Sequence, residues 1–284
     1  MSYEGISPAF AQALLGKLNG ESISAPVEGW ELGLYSTLFD AAGVAIELAS
    51  GSSPGYAPAL LAASPLAVAA PAGRLTKNAT PIMWPINSST NTPWQTAIAV
   101  AIGKKTGSSS TLPKVCAFGK LDTGWSNDPG NRLYYPVNRF QIRMFADDTR
   151  ISQEEAEENL QLFQGAAINP PNHYFLGLGA DVPDRLGNIA EITDLARVQI
   201  PCVGGTWVAG STVRRRTNAS IYEFVAAPAN LPRIKSFGLF TDPRAAGGNA
   251  DTTKPRWFGE VTAEKVIYFE DIIVILSGGM ELGL

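Results

Sequence analysis

Leu160-Gln161-Leu162-Phe163-Gln164-Gly165, then Asn169-Pro170-Pro171-Asn172, then His173-Tyr174-Phe175-Leu176-Gly177-Leu178-Gly179 decides how this chain is read. It is the end of a helix, a glycine stop, a proline-bearing loop and the first strand of a new module. The same grammar occurs near the N-terminus. Leu14-Leu15-Gly16-Lys17-Leu18-Asn19-Gly20 closes a helix, a loop holds Pro26, and Trp30-Glu31-Leu32-Gly33-Leu34-Tyr35 begins a strand. The chain therefore reads as one module written twice, with residues 1–148 as the first and 149–284 as the second.

Each module opens on a helix start. Ser7 before Pro8 gives an N-cap with proline at the first helical position. Phe10, Leu14, Leu15 and Leu18 supply the apolar stripe. In the second half Asp147–Arg150 is a polar boundary, and Ser152-Gln153-Glu154-Glu155 has the form of a capping box with an acidic first turn. Strands follow in the same order in both halves. Trp30–Tyr35 answers to Tyr174–Gly179, Asn78–Trp84 to Asn218–Phe224, and Trp94–Gly103 to Leu231–Phe240. Ala117–Leu121 answers to Trp257–Val261, and Tyr135–Phe145 to Tyr268–Leu276. Three anchors fix the shift. Gly33 and Gly177 are 144 residues apart, Asn78 and Asn218 are 140 apart, and Gly119 and Gly259 are 140 apart. These six are the repeat-defining structural residues.

Composition supports this reading. In 284 residues, 45% are hydrophobic, enough for two modest cores, and only 17% are charged. The 28 glycines and 20 prolines demand many turns. The expected class is mainly β: two tandem β-sandwich-like modules, each preceded by a short α-helix. A net charge of −4 gives no broad attraction to nucleic acid, and Arg214-Arg215-Arg216 is too small a cluster to supply one. That cluster is expected in a solvated loop or an interface ion pair. Met1–Gly5 has no basic and apolar signal pattern, so no signal peptide is expected. The Ala-rich stretch from Ala57 to Ala72 is broken by Pro58, Pro65 and Pro71, so no membrane span is expected. Cys116 and Cys202 fall at unmatched positions and read as free thiols.

The search for chemistry assigns no catalytic, cofactor-binding or metal-ligating residue. His173 has no partner histidine or cysteine at ligand spacing. Asp181, Asp184, Glu191 and Asp194 read as solvated loop carboxylates, as do Asp122 and Asp128. Gly103-Lys104-Lys105-Thr106-Gly107 has the wrong order for a phosphate loop. Trp84, Trp94 and Trp257 fall on expected strands or their edges and read as core or interface. Trp125, flanked by Thr123, Gly124, Ser126, Asn127 and Asp128, is the candidate for an exposed aromatic contact.

The second half carries Phe175-Leu176-Gly177-Leu178, Leu195-Ala196-Arg197, Thr217-Asn218-Ala219-Ser220, Phe237-Gly238-Leu239-Phe240-Thr241-Asp242 and Phe258-Gly259. In this it resembles the small tail-fibre-like virion domains of tailed phages. The first half departs from the pattern. It has Val100-Ala101-Ile102-Gly103 where Phe237–Phe240 stands, Tyr56-Ala57-Pro58 in place of Leu195-Ala196-Arg197, and an insertion after Leu121. The resemblance implies a non-enzymatic virion structural protein of the tail or baseplate, assembled in the host cytoplasm. Its implied partners are other virion proteins and copies of itself. Three copies of a two-module chain would give pseudo-sixfold symmetry. The alternatives are a capsid decoration or cement protein and a carbohydrate-binding receptor module of the tail. No cofactor, nucleic-acid partner or membrane is expected.

Overall fold

The computed structural model describes residues 5–62, 66–68, 75–144, 151–184, 187–247 and 255–284. The expected boundary at Asp147–Arg150, together with Pro65 and Pro71, lies outside them. The chain is mainly β, as expected. It forms two compact units. Unit 1 is Met1–Ala13, Ile23–Met144 and Leu160–Ile168; unit 2 is Leu14–Ser22, Phe145–Asn159 and Asn169–Leu284. Each unit is thus built mainly from one half of the sequence and completed by a short segment of the other.

Unit 1 contains the start of helix α1 (Pro8–Leu15), capped by Ser7 Oγ, which accepts from the Phe10 amide at 3.1 Å. Strands β1 (Gly5–Ile6), β2 (Trp30–Tyr35), β3 (Ala59–Leu61), β7 (Ala97–Lys104) and β8 (Ala117–Trp125) form an antiparallel sheet in the order β1-β8-β7-β2-β3. Strands β4 (Leu66–Val68), β5 (Leu75–Asn78) and β10 (Gln141–Arg143) form a second sheet, ordered β10-β5-β4. Strands β6 (Ile82–Ile86) and β9 (Arg132–Tyr135) make a two-stranded ribbon.

Strand β2 is buried on both faces rather than one. On one side Tyr35 joins Phe39, Ala99, Ala101 and Phe118, with the Phe39 and Phe118 rings stacked at 4.4 Å. On the other side Trp30 meets Phe163 at 4.7 Å, and Phe163 meets Phe10 edge-on at 5.8 Å. Phe163 belongs to the 3-10 turn Gln161–Gln164 that follows helix α2 (Gln153–Leu160). Complete burial of one such ring contributes roughly 1.5–3 kcal/mol. Ile23 and Ile168 exchange amide-to-carbonyl bonds of 2.9 and 2.8 Å beside it.

Unit 2 contains strands β11 (His173–Gly179), β12 (Val198–Pro201), β16 (Leu231–Phe240) and β17 (Trp257–Ile267), in the order β17-β16-β11-β12. That is the order β8-β7-β2-β3 of unit 1. Strands β13 (Trp207–Ala209), β14 (Arg215–Asn218) and β19 (Glu281–Gly283) form a sheet ordered β19-β14-β13, which parallels β10-β5-β4. Strands β15 (Tyr222–Phe224) and β18 (Ile273–Ile275) form a ribbon that parallels β6 and β9. The 3-10 turn Gly16–Asn19, which follows α1, lies in this unit. Both 3-10 turns end on left-handed glycines, Gly20 with φ 81° and Gly165 with φ 85°, the C-cap that the sequence predicts.

Two expectations need correction. Tyr135–Phe145 is not one strand. It breaks after Tyr135 at a turn containing Pro136 and Asn138, whose φ is 63°, and resumes as β10. Correspondingly, Tyr268–Leu276 is shortened to β18, and the strand that holds in unit 2 the place of β10 is β19, beyond it in the sequence. Arg215 and Arg216 lie on a strand, not in a solvated loop.

The turn that breaks the strand is held by Asn78 in unit 1 and by Asn218 in unit 2, both fully buried. Asn78 Nδ2 donates to the carbonyls of Thr80 (2.8 Å) and Pro136 (2.9 Å), and its Oδ1 accepts from the Phe140 amide (2.9 Å). Asn218 Nδ2 donates to Ser220 (2.7 Å) and Leu276 (2.8 Å), and its Oδ1 accepts from the Met280 amide (2.8 Å). Only a side-chain amide can satisfy two carbonyls and one N–H at once. Replacing Asn218 with Ala takes a partner from three backbone groups: the Leu276 carbonyl keeps the Gly279 amide at 2.9 Å, while the Ser220 carbonyl and the Met280 amide lose theirs, each costing about 1–3 kcal/mol if it stays dry. Urea unfolding of Asn218→Ala is expected to show a loss of at least about 2 kcal/mol, and Asn218→Asp is expected to fall on the same side.

Candidate functional site

The residues that the sequence offers for chemistry do not converge. His173 is the first residue of β11, partly exposed and opposite Pro201. Cys116 and Cys202 are buried free thiols. Burial raises both, Cys202 to about 12, so neither is a thiolate at neutral pH. Among the described residues, no group of three or more His, Cys, Asp or Glu side chains could hold a metal ion. Likewise, none of the helices there is long and apolar enough to cross a membrane. Trp84, Trp94, Trp207 and Trp257 are buried. Trp84 Nε1 donates to the Leu32 carbonyl at 3.1 Å and Trp94 Nε1 to that of Pro54 at 2.8 Å. Trp125 sits at the end of β8, half-buried, 4.6 Å from the Tyr135 ring and 6.3 Å from that of Trp84.

Of the loop carboxylates, Glu191 is not solvated. It is buried under Arg197, whose Nε and Nη2 grip both its oxygens at 2.9 and 2.8 Å, and Arg244 Nη2 adds 2.9 Å to Oε1. Arg197 also lies 3.6 Å over the Phe240 ring and donates to the Asp242 carbonyl. The short strings Leu195-Ala196-Arg197 and Phe240-Thr241-Asp242 thus meet in one ion cluster. Gly177 lies directly beneath it: a Cβ there would come within 2.5 Å of Glu191 Oε1 and 2.9 Å of the Phe240 ring. Gly33 has the same place under Glu47 and the Tyr35 ring, at 3.0 and 3.1 Å. Gly119 has open space where its Cβ would stand. It pairs with Val100, and Gly259 pairs with Phe237.

A second ion cluster lies in unit 2. Lys17 and Glu155 are each 1% exposed and 2.6 Å apart, with Glu158 and Asn159 at 3.2 and 3.4 Å from the same ammonium. Burial pushes the Glu155 carboxyl up, and Lys17 works against that rise. The capping box is therefore only half made. Ser152 Oγ accepts from the Glu155 amide at 3.2 Å, but the Glu155 carboxylate goes to Lys17, and the Ser152 amide donates to the Arg256 carbonyl. Asn19 completes the turn by bonding both the amide and the carbonyl of Trp207.

The surfaces that stand out are the two ribbons. Each buries one face, through Ile82 and Trp84 or through Tyr222, Phe224 and Ile273. Each leaves large apolar side chains outward: Met83, Ile86 and Tyr134 on one, Ile221, Val225, Val274 and Leu276 on the other. In unit 2 a cavity of about 230 Å³ lies between Leu178, Ile234 and Phe237 and the ribbon residues Val274 and Leu276.

Residues 151–283, just under half of the chain, match the family model described as Podophage GP4 fiber I protein gp80. The second half of the chain is thus similar to a phage fibre protein family. Among curated proteins nothing matches the chain.

Two outcomes follow from the ion pairs. Lys17→Met leaves a buried carboxylate unpaired and is expected to cost about 3–5 kcal/mol in chemical unfolding, most of it recovered in Lys17→Met/Glu155→Leu. Glu281, on β19, is drawn down from 4.5 to about 2: burial would raise it, but the Ser211 hydroxyl and amide and Arg215 Nη1 at 2.6 Å outweigh burial. A depressed carboxyl stabilises fully above its unfolded value, and that contribution vanishes as pH falls through the folded one. Thermal melts should show unit 2 losing more stability from pH 4.5 to about 2 in the wild type than in Glu281→Gln.

Proposed function

We propose that the chain is a non-enzymatic structural protein of a tailed-phage particle, a tail or baseplate component, assembled in the host cytoplasm and held in the virion by other virion proteins and by copies of itself. The observation that carries this reading is the fibre-family match over residues 151–283. In this reading the chain is a duplication with modules at 1–148 and 149–284. The parallel strand orders of the two units support it, as do the equivalent bonds of Asn78 and Asn218. A protein of two similar modules can present two similar surfaces per copy, so a trimer can match a sixfold partner in a symmetric ring. The outward apolar ribbons supply surfaces of the kind such a ring consumes.

Quantitative mass spectrometry of purified particles checks the placement. A tail or baseplate ring requires the chain at tens of copies or fewer per particle. Hundreds of copies would move it to the capsid as a decoration protein. Its absence from particles would remove the virion reading.

A further inference from the structure

We propose that the β6–β9 ribbon of one copy docks on the β15–β18 ribbon of a second copy of this chain. This rests on the self-assembly reading above and names the contact that would make it. The two outer faces are both apolar. Met83 stands directly across from Tyr134, 55% and 60% exposed, with Ile86 beside them. On the other ribbon Val274 stands across from Glu223, with Val225 and Leu276 exposed at 66% and 63%.

Charge selects the occupant. Residues 81–87 and 131–140, the first ribbon and its following turn, carry Arg132 and Arg139 and no carboxylate. Residues 221–227 and 268–276, the second ribbon and its preceding turn, carry Glu223, Glu270 and Asp271 and no cation. All five side chains are exposed. Asp128 and Lys265 flank the two segments and leave the sign of each ribbon unchanged. Like ribbons therefore repel, and unlike ribbons attract. A second copy of the chain always offers the complementary ribbon, so the contact is head-to-tail. Such a contact propagates into a closed ring or an open filament.

Size-exclusion light scattering on the purified chain tests this. Two charge-reversed variants are compared with the wild type: Arg132→Glu/Arg139→Glu and Glu223→Lys/Glu270→Lys, each checked for an unchanged far-UV spectrum and melt. The wild type is expected to self-associate with concentration, and less so in about 1 M salt than in about 0.05 M. Each variant alone is expected to lose roughly tenfold or more in self-affinity. An equimolar mixture of the two is expected to regain it, because each then carries ribbons complementary to the other's. Arg132→Gln/Arg139→Gln serves as a milder variant should reversal unfold the chain. Self-association indifferent to both reversals, or sensitive to one only, overturns the ribbon contact and leaves self-assembly standing. A wild type that stays monomeric, or assembles only with another virion protein, overturns both.

Discussion

Lys17 is an ammonium sealed inside unit 2, and its partner Glu155 is sealed with it. Desolvating two ions costs several kcal/mol each, so the pair is tolerable only when both are in place and hydrogen-bonded. This constraint decides how unit 2 is completed. The 3-10 turn Gly16–Asn19 is held there by an ion pair and by the bonds of Asn19 to Trp207, whereas Gln161–Gln164 is held in unit 1 by aromatic packing of Phe163 on Phe10 and Trp30. An ionic seat and an aromatic seat do not accept each other's occupants. Lys17 in the place of Leu162 or Phe163 would be a buried unpaired charge, so the difference fixes which turn completes which unit.

The rest of each unit builds outward from β2 or β11. The glycine in the middle of each strand lets a loop glutamate approach the backbone, Glu47 over Gly33 and Glu191 over Gly177. In unit 1 the neighbouring space is filled by the Tyr35–Phe39–Phe118 cluster, and in unit 2 by Arg197 and Arg244 over Phe240. Beyond the sheets, one buried asparagine in each unit closes the turn that leads from the ribbon to the last strand. The ribbons have an inner face that serves the core and an outer face that carries exposed apolar side chains. Low overall charge and outward apolar residues are costly for a protein that stays alone, and useful for one that is covered by neighbours.

Much of this was legible in the sequence, for physical reasons. Ser7, Ser152, Gly20 and Gly165 announced both helix ends because capping depends on local backbone groups. Leu-Gly-Leu and Asn-Ala-Ser/Thr marked the central strands and the asparagine turns because each string answers to one steric or hydrogen-bonding demand. What stayed hidden is tertiary. Glu155 has the spacing of a capping box, and only the fold shows that Lys17 claims its carboxylate. Glu191 looks like a loop acid until Arg197 and Arg244, six and 53 residues away, are folded over it. Tyr135–Phe145 alternates like one strand, although Pro136 and Asn138 mark the break. The β13-β14-β19 sheet has no signature in the sequence because Arg215 and Arg216 carry no strand pattern. Trp125 looked like a loop residue because Gly and Ser surround it, yet it ends β8 against Trp84 and Tyr135.

The claim that this chain is an assembly component of a phage tail is tested most directly by locating it in the particle. A reconstruction of the intact virion, at a resolution that traces the strands, should place the chain in a tail or baseplate ring, with the outer ribbon faces covered by neighbouring subunits. Density for the chain on the head lattice, or in the tail with both ribbons left bare to solvent, would contradict the account.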